Sequence, residues 1–342
     1  MTETFFDDAP RSKAGQAPPR HAEPRLWWRP PGHTDVFTLI PDTAGTSTFH
    51  FVPFDVASGA PEMTWRGHAV RTSAPSPGTL PRIPTPEGHN TTREEHAANV
   101  DAALEAIHRG SLDKVVVSRT QVAADTVAPE RAFQNLCAMH PRALVYLMHH
   151  PVEGTWCGAT PELLLRAQQH DVDTVSLAGT RRDGSQAAWT DKERQEQQVV
   201  TDHIWDTLEH LGAEDLVQDG PRDKQYGALV HLETRISAHY LGDLHALAKA
   251  LHPTPAVCGR PVDAAAAFIR AHERHTRSYY AGFLGWSSPL GCAYYVNLRC
   301  AHWTDNGVTM FAGGGIVKGS VAEDEWSETE SKLQSFAPAF QG

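Results

Sequence analysis

Apolar residues recur every three or four positions along several stretches of the chain, the spacing typical of helices with one buried face. The clearest stretch opens with a capping box formed by Thr92 and Glu95 and ends at Gly110. A longer stretch runs from Thr190 to Gly212 and carries acidic residues near its start. We therefore predict helices at 92–110, 129–139, 190–212, 241–251, 262–274 and from 320 onward.

Short apolar runs rich in β-branched and aromatic residues predict strands between these helices. The run 292–301 is broken by one arginine, Arg299, and Asp305-Asn306-Gly307 after it is typical of a hairpin turn. Strands and helices follow no strict alternation and there is no phosphate-loop motif, so we predict an α+β fold with large, mostly antiparallel sheets. The predicted strands are 37–40, 48–56, 114–119, 143–148, 174–178, 292–301 and 307–312.

The chain has 342 residues, enough to bury a large core. Residues 1–25 are polar and contain proline, so we expect a poorly ordered segment there and a single domain over 26–342. Apolar stretches are far shorter than the roughly 20 residues of a membrane-spanning helix. With no signal-peptide pattern at the N-terminus either, we expect a cytoplasmic protein without membrane contact.

Charge and cysteine content narrow the classes of partner. The formal net charge of −11 argues against nucleic acid, whose phosphates need a basic surface. The five cysteines show no close CxxC pair, so we interpret them as reduced thiols and not as a zinc or redox site.

The C-terminal region concentrates groups that suit an anionic ligand. Arg299 lies in a run that looks buried, and Gly313-Gly314-Gly315 allows backbone amides to approach a ligand closely. Glu325 and Glu328 then face the same way on the next helix. Acidic residues in a first helical turn are ordinary partners of the helix dipole. Their combination with the arginine and the glycines favours an anionic ligand beside a divalent metal.

A second acidic helix start offers Glu193 and Glu196, so two helices can supply carboxylates to one hard cation such as Mg²⁺. Lys114 and Glu162 remain as a candidate base and acid. Each also has an ordinary structural interpretation, as a lysine at a strand end and as the first-turn acid of a buried helix. Sequence spacing does not establish that these residues meet.

Nine short motifs follow one another between residues 92 and 335. They are KVVVSR (114–119), GATPE (158–162), SLAGT (176–180), DKERQE (191–196), LHPTPAVCG (251–259), YYAGFLGW (279–286), YVNLRCA (295–301), AGGGIV (312–317) and EWSETESK (325–332). In order and content they resemble the motifs of the chorismate-utilising enzymes, and among these most resemble the isochorismate synthases. The resemblance implies two large antiparallel sheets packed together with helices outside, and one Mg²⁺-dependent site for chorismate.

The resemblance also implies roles for the candidate residues. Lys114 matches the general base that activates water for attack at C2 of chorismate, and Glu162 the general acid that protonates the departing C4 hydroxyl. The implied metal ligands are Glu196 and Glu328, with Glu193 and Glu325 in supporting positions. The implied substrate contacts are Arg299, Gly314, Gly315 and Lys332 at the carboxylates and Gly179, Thr180 and His252 along the pocket.

Three alternatives stay open beside an isochorismate synthase. A salicylate synthase adds pyruvate elimination, but those enzymes differ around the HPTPA motif. An aminating enzyme of the anthranilate type uses a glutaminase partner and typically lacks the lysine present here as Lys114. A non-catalytic carboxylate-binding protein has no need of both Lys114 and Glu162. We expect a monomer without a glutaminase subunit. The pathway, menaquinone or siderophore synthesis, is left open. Two positions depart from the family motifs, since Ser278 and Cys258 replace glycines that are common there.

Overall fold

A computed structural model describes residues 24–81, 83–124, 126–182, 188–226 and 229–341, so most of the segment expected to be poorly ordered lies outside it. The helices are α1 (Arg93–His108), α2 (Pro129–Met139), α3 (Asp191–His210), α4 (Leu244–Leu251), α5 (Val262–His272) and α6 (Ala322–Gln334). The strands are β1 (Arg25–Arg29), β2 (Val36–Pro41), β3 (Ser47–Val52), β4 (Met63–Thr72), β5 (Lys114–Ala123), β6 (Leu144–His150), β7 (Gly154–Thr160), β8 (Leu163–Gln168), β9 (Asp171–Arg182), β10 (Glu214–Tyr226), β11 (Leu229–His239), β12 (Gly259–Arg260), β13 (Phe283–Ser288), β14 (Gly291–Val296), β15 (Cys300–Thr304) and β16 (Gly307–Ile316).

Within the described ranges these strands form one hydrogen-bonded series with antiparallel pairing throughout. The order is β10-β11-β9-β8-β14-β13-β3-β4-β2-β1-β6-β7-β15-β16-β5-β12. Phe51 of β3 and Tyr146 of β6 are four positions apart in this order, about 19 Å in a flat sheet. Their ring centroids are 5.4 Å apart, so the series folds back into two packed layers. The predicted α+β fold is confirmed, with both layers belonging to one continuous sheet.

Side chains of β6 show how the two faces of the sheet are used, because successive residues point to opposite sides. Leu144, Tyr146 and Met148 belong to the large core that also contains Phe51 and Trp156. Val145 and Leu147 face a second core, which is covered by Phe133 and Leu136 of α2 and by Leu333 at the end of α6. The sheet is therefore buried on both faces, which explains the continuous apolar runs in the sequence.

Capping boxes and apolar spacing in the sequence predicted the positions of the helices well. The capping box at Thr92 and Glu95 is present, with the Glu95 amide donating to Thr92 Oγ1 at 3.2 Å and the Thr92 amide to Glu95 Oε2 at 2.9 Å. An equivalent box opens α3 at Thr190. The apolar face of α3, with Val200 and Ile204, packs into the large core. None of the described helices is long and apolar enough to span a membrane.

The prediction of a single strand over 292–301 is wrong. β14 ends at Val296 and β15 begins at Cys300, and Arg299 between them has a φ of 48°. The fully buried Asn297 holds this bend, since its side-chain amide donates to Tyr279 O at 2.8 Å and accepts from Tyr146 Oη at 2.8 Å. The predicted hairpin after it is confirmed as the turn between β15 and β16. Arg299 therefore lies at a bend between two strands and not within a strand of the sheet.

Candidate active site

One cavity gathers residues from β5, β9, β11, β16, α3, α6 and the connections between strands. Apolar side chains such as Tyr280 and Phe311 form part of its wall. Nine of the thirteen residues singled out in the sequence line it, although they come from distant parts of the chain. These nine are Glu162, Gly179, Glu193, Glu196, Arg299, Gly315, Glu325, Glu328 and Lys332.

Lys114 reaches this cavity through Glu196. It is the first residue of β5 and only 1% exposed, and its Nζ donates a hydrogen bond to Glu196 Oε1 at 2.8 Å. Gly315 on the neighbouring strand leaves room for the pair, because a Cβ there would lie 2.5 Å from Glu196 Oε1 and 3.0 Å from Lys114 Cε. The glycine is therefore required by the close approach of the two side chains.

Glu162 lies between β7 and β8 and is 9% exposed. Burial raises the pKa of its carboxyl to about 7, and the positive charges of Lys332, Lys114 and Arg299 offset this only in part. Near neutral pH a buried carboxyl with this pKa holds a proton for a substantial fraction of the time. Glu162 is thus suited to donate a proton inside the cavity.

Two charged residues of α6 form an ion pair at the edge of the cavity. Lys332 Nζ donates to Glu328 Oε1 at 2.8 Å and to Gly313 O at 2.7 Å. Burial acts to lower the pKa of Lys332, but the carboxylates of Glu328, Glu196 and Glu325 raise it above its ordinary value. Lys332 therefore stays positively charged and can attract an anion.

Gly314 does not line the cavity itself; it allows α6 to pack closely against β16. A Cβ at this position would lie 2.9 Å from Glu325 Oε2. Glu325 is 4% exposed and lines the cavity from the first turn of α6. Gly314 thus allows a carboxylate of α6 to lie close to the sheet, and the contact of Gly314 and Gly315 with a substrate carboxylate stays a prediction.

At the start of α3, the side chain of Glu193 takes part in the capping of the helix. Its Oε2 accepts a hydrogen bond from the Thr190 amide at 2.7 Å and a second one from Thr190 Oγ1. Gly179 faces it with a φ of 71°, and a Cβ there would lie 3.2 Å from Glu193 Cβ. One carboxylate oxygen of Glu193 is thus engaged in the helix cap.

His231 lines the cavity but was missed by the sequence analysis, because its strand is too polar to be recognised. Its Nδ1 lies 2.9 Å from Gly179 O, and since a carbonyl only accepts, Nδ1 carries the proton. Burial, with the nearby charge of Lys332, lowers the pKa of His231 to about 4. His231 is therefore neutral at pH 7.

A family model described as "Chorismate binding enzyme" matches residues 62–341. The chain belongs to the chorismate-binding enzyme family. "Salicylate biosynthesis isochorismate synthase" of Pseudomonas aeruginosa is 34% identical over 263 residues, which cover 72% of this chain and 55% of that protein. "Isochorismate synthase EntC" of Escherichia coli is 33% identical over 289 residues, or 79% of this chain and 71% of that protein. The chain thus spans little more than half the length of the Pseudomonas relative.

The fold is shared with a solved structure of this family. The structure of MenF, the menaquinone-specific isochorismate synthase from Escherichia coli, matches with a TM-score of 0.76 at 22% sequence identity. The match covers 94% of this chain and 89% of that chain. At this identity the likeness shows the fold alone.

His252 of the family motifs does not line the cavity. Ala256 and Val257 of the LHPTPAVCG motif line it, but the ring of His252 turns toward Phe54, whose carbonyl oxygen is 3.2 Å from His252 Nε2. His252 borders a different cavity, together with Arg270. The structure therefore does not bring His252 to the predicted pocket. The side chain of Thr180 lies outside the described residues.

The cavity of this family member offers a donor set that suits Mg²⁺. Glu196, Glu328, Glu193 and Glu325 all line it with carboxylates, and hard oxygen donors are what Mg²⁺ prefers. A histidine-containing group, His50, Glu62 and His245, brings ligand atoms within 4.8 Å of one another elsewhere in the described chain. Its two imidazole rings are stacked with centroids 4.0 Å apart and an interplanar angle of 23°. His50 Nδ1 and His245 Nε2 lie 3.7 and 2.7 Å from Glu62 Oε1, and none of these three residues lines the cavity described above.

Proposed function

We propose that the protein is an isochorismate synthase that interconverts chorismate and isochorismate with the help of Mg²⁺. The observation that carries this proposal is that Glu162, a buried carboxyl with a pKa of about 7, lines the same cavity as Glu196, the ion-pair partner of the buried Lys114. The exchange of one hydroxyl position for another needs both a base for water and an acid for the leaving hydroxyl. The relatives named as isochorismate synthases support the same reaction.

In the direction of isochorismate, Lys114 takes a proton from a water molecule as the oxygen of that water attacks C2 of chorismate. Glu162 gives its proton to the C4 hydroxyl, which leaves as water while the ring double bonds shift. One water is consumed and one is released, so the reaction is an isomerisation. In the reverse direction the two residues exchange roles, and proton exchange with solvent restores them between turnovers.

The charges around the cavity suit a dicarboxylate substrate. Lys332 stays protonated, and Arg299 is presented by the bend between β14 and β15. His231 is neutral at pH 7 and adds no charge to the cavity wall. We assign the carboxylates of Glu196 and Glu328, supported by Glu193 and Glu325, to Mg²⁺, which when bound neutralises their charge and attracts a substrate carboxylate.

The test is to supply each isomer in turn to the purified protein with Mg²⁺ and to identify the products by chromatography. We expect the same mixture of chorismate and isochorismate from both sides, and no activity in excess chelator. A Glu328→Ala variant should lose activity as chelation does. Failure to interconvert the isomers from either side would reject the proposal, and full activity in excess chelator would reject the metal assignment.

Pyruvate and ammonium separate this proposal from its relatives. A salicylate synthase releases pyruvate in proportion to the chorismate consumed, whereas we expect none above background in a coupled assay. An aminating enzyme responds to ammonium, whereas we expect no aminated product with or without it. We therefore propose that the protein acts without a glutaminase subunit. We also propose that it is a monomer, which sedimentation of the purified protein will test, and that it is located in the cytoplasm, which cell fractionation will test.

A further inference from the structure

Arg119 lies within β5 and connects that strand to α6. It is 2% exposed. Its Nε donates a hydrogen bond to Thr329 Oγ1 at 2.8 Å, and one Nη donates to Glu330 Oε2. The guanidinium carbon lies 3.9 Å from the ring centroid of Trp326. A single buried cation therefore contacts three side chains of the helix by hydrogen bonding, charge and ring stacking.

The residues that Arg119 contacts and the residues that line the cavity form two different faces of α6. The contacted face consists of Trp326, Thr329 and Glu330, and the cavity face of Glu325, Glu328 and Lys332. With 3.6 residues per turn, the centres of the two faces are about a third of a turn apart. A rotation of α6 that displaced the cavity face would also break the contacts with Arg119.

The same strand begins with Lys114, so β5 carries both the candidate base and the arginine that holds α6. Trp326 is fixed from a second side by His96 of α1, whose ring centroid lies 5.5 Å away in an edge-on arrangement. Burial and the charge of Arg119 lower the pKa of His96 to about 4, so the His96 ring itself brings no positive charge to the tryptophan at pH 7. Arg119 is thus the cation that fixes this side of α6.

We propose that Arg119 is a positioning residue that sets the rotation of α6 and thereby places Glu325, Glu328 and Lys332 for Mg²⁺ and substrate. The inference rests on the proposed function, because it takes these carboxylates to hold the metal. Arg119 itself does not touch the cavity. Its loss should therefore weaken metal binding through α6.

Arg93 provides a matched control. It lies on α1 and forms an ion pair with Glu323 of α6, and its guanidinium carbon is 5.9 Å from the Trp326 centroid. Its side chain is 53% exposed and that of Glu323 is 61% exposed. Because exposed ion pairs contribute little, Arg93 contacts α6 without fixing it.

The experiment compares Arg119→Met, Arg119→Lys and Arg93→Met by calorimetric titration of the metal-free proteins with Mg²⁺, with unfolding temperatures measured alongside. We expect Arg119→Met to bind Mg²⁺ about 10 to 100-fold more weakly, as for other residues that orient metal ligands. Arg119→Lys should recover part of the affinity, since lysine keeps the charge but not the planar fork. Arg93→Met should match the wild type.

Unchanged Mg²⁺ affinity in a folded Arg119→Met would overturn the proposal, and so would an equal loss in Arg93→Met. If Arg119→Met does not fold, Arg119→Lys decides: weaker Mg²⁺ binding supports the role and wild-type binding rejects it. A lower unfolding temperature with unchanged affinity would show a purely structural role. Wild-type protein that binds Mg²⁺ but does not isomerise chorismate would reject the proposed function and leave the positioning role intact, whereas wild-type protein that binds no Mg²⁺ would reject the positioning role.

Discussion

Two glutamates of this protein are withdrawn from water and yet differ in their ionisation. Glu162 lines the cavity, and burial raises its pKa to about 7. Glu273 follows α5 with a side chain only 3% exposed. Burial also acts to raise the pKa of Glu273, but the contacts with Arg277 and its neighbours hold it below its ordinary value.

The difference lies in how each carboxylate meets positive charge. Glu273 accepts hydrogen bonds from Arg277 at 2.6 and 2.8 Å and from the Ser118 amide at 2.7 Å, so its charged form is fully solvated by the protein. The cations around Glu162 offset only part of the rise in its pKa that burial causes. A bidentate arginine makes a buried carboxylate a structural anion, whereas weaker and more distant charges leave it able to exchange a proton.

The largest expected effect comes from Glu162→Gln, which keeps the shape and removes the proton donor. We predict a loss of about 10² to 10⁴-fold in kcat, the usual contribution of a general acid, with little change in the KM for chorismate. Steady-state kinetics from both isomers measure this. Near-normal turnover would mean that another group protonates the leaving hydroxyl and that the contrast with Glu273 has no catalytic meaning.

Arg277→Met should lower the free energy of unfolding, because it leaves the buried carboxylate of Glu273 without its cationic partner. Breaking a buried pair in this way costs about 3–5 kcal/mol of unfolding free energy. Urea unfolding measures it, with Arg274→Met as control, since Arg274 is 72% exposed and pairs with Glu95 at the surface. Equal unfolding free energies of the two variants would show that the pairing of Glu273 with Arg277 does not stabilise the fold more than a surface ion pair does.

The two glutamates should also give stability opposite dependences on pH. The pKa of Glu162 is raised on folding, so its contribution is present at low pH and is lost as pH rises from its ordinary pKa through about 7. The loss amounts to roughly 3 kcal/mol and should be absent in Glu162→Gln. The pKa of Glu273 is lowered, so its contribution is lost as pH falls. The unfolding free energies of the wild type and Glu162→Gln across this range isolate the contribution of Glu162, and parallel pH profiles would contradict the assignment.

Local patterns in the sequence predicted elements better than they predicted the site. The capping boxes and apolar spacing placed α1 and α3 because those signals lie within one helix. Glu162 was locally interpretable as the first-turn acid of a helix, but it lies between two strands. Its partner Lys114 contacts Glu196, 82 residues further on, and no periodicity reports such a contact. The resemblance to a family assigned both residues to one site, but it did not predict the contact between them.

Other features depended on tertiary structure. His231 lies on the polar strand β11, where alternation of apolar residues is weak, and only its contact with Gly179 reveals its place in the cavity. His252 belongs to a recognised motif, yet its ring turns toward Phe54. Ser278, where the family commonly has glycine, has a φ of 48°, which explains the usual glycine but was not visible as strain in the sequence.

The account rests on a cavity carboxyl that holds a proton near neutral pH, and its titration can be observed directly. Carbon NMR of protein labelled at the glutamate side-chain carboxyls, without metal or substrate, should show one signal that is missing in Glu162→Gln. We predict that this signal titrates near pH 7. A midpoint near the ordinary glutamate value of about 4.3 would contradict the account, because Glu162 would then be ionised at neutral pH like any exposed carboxylate.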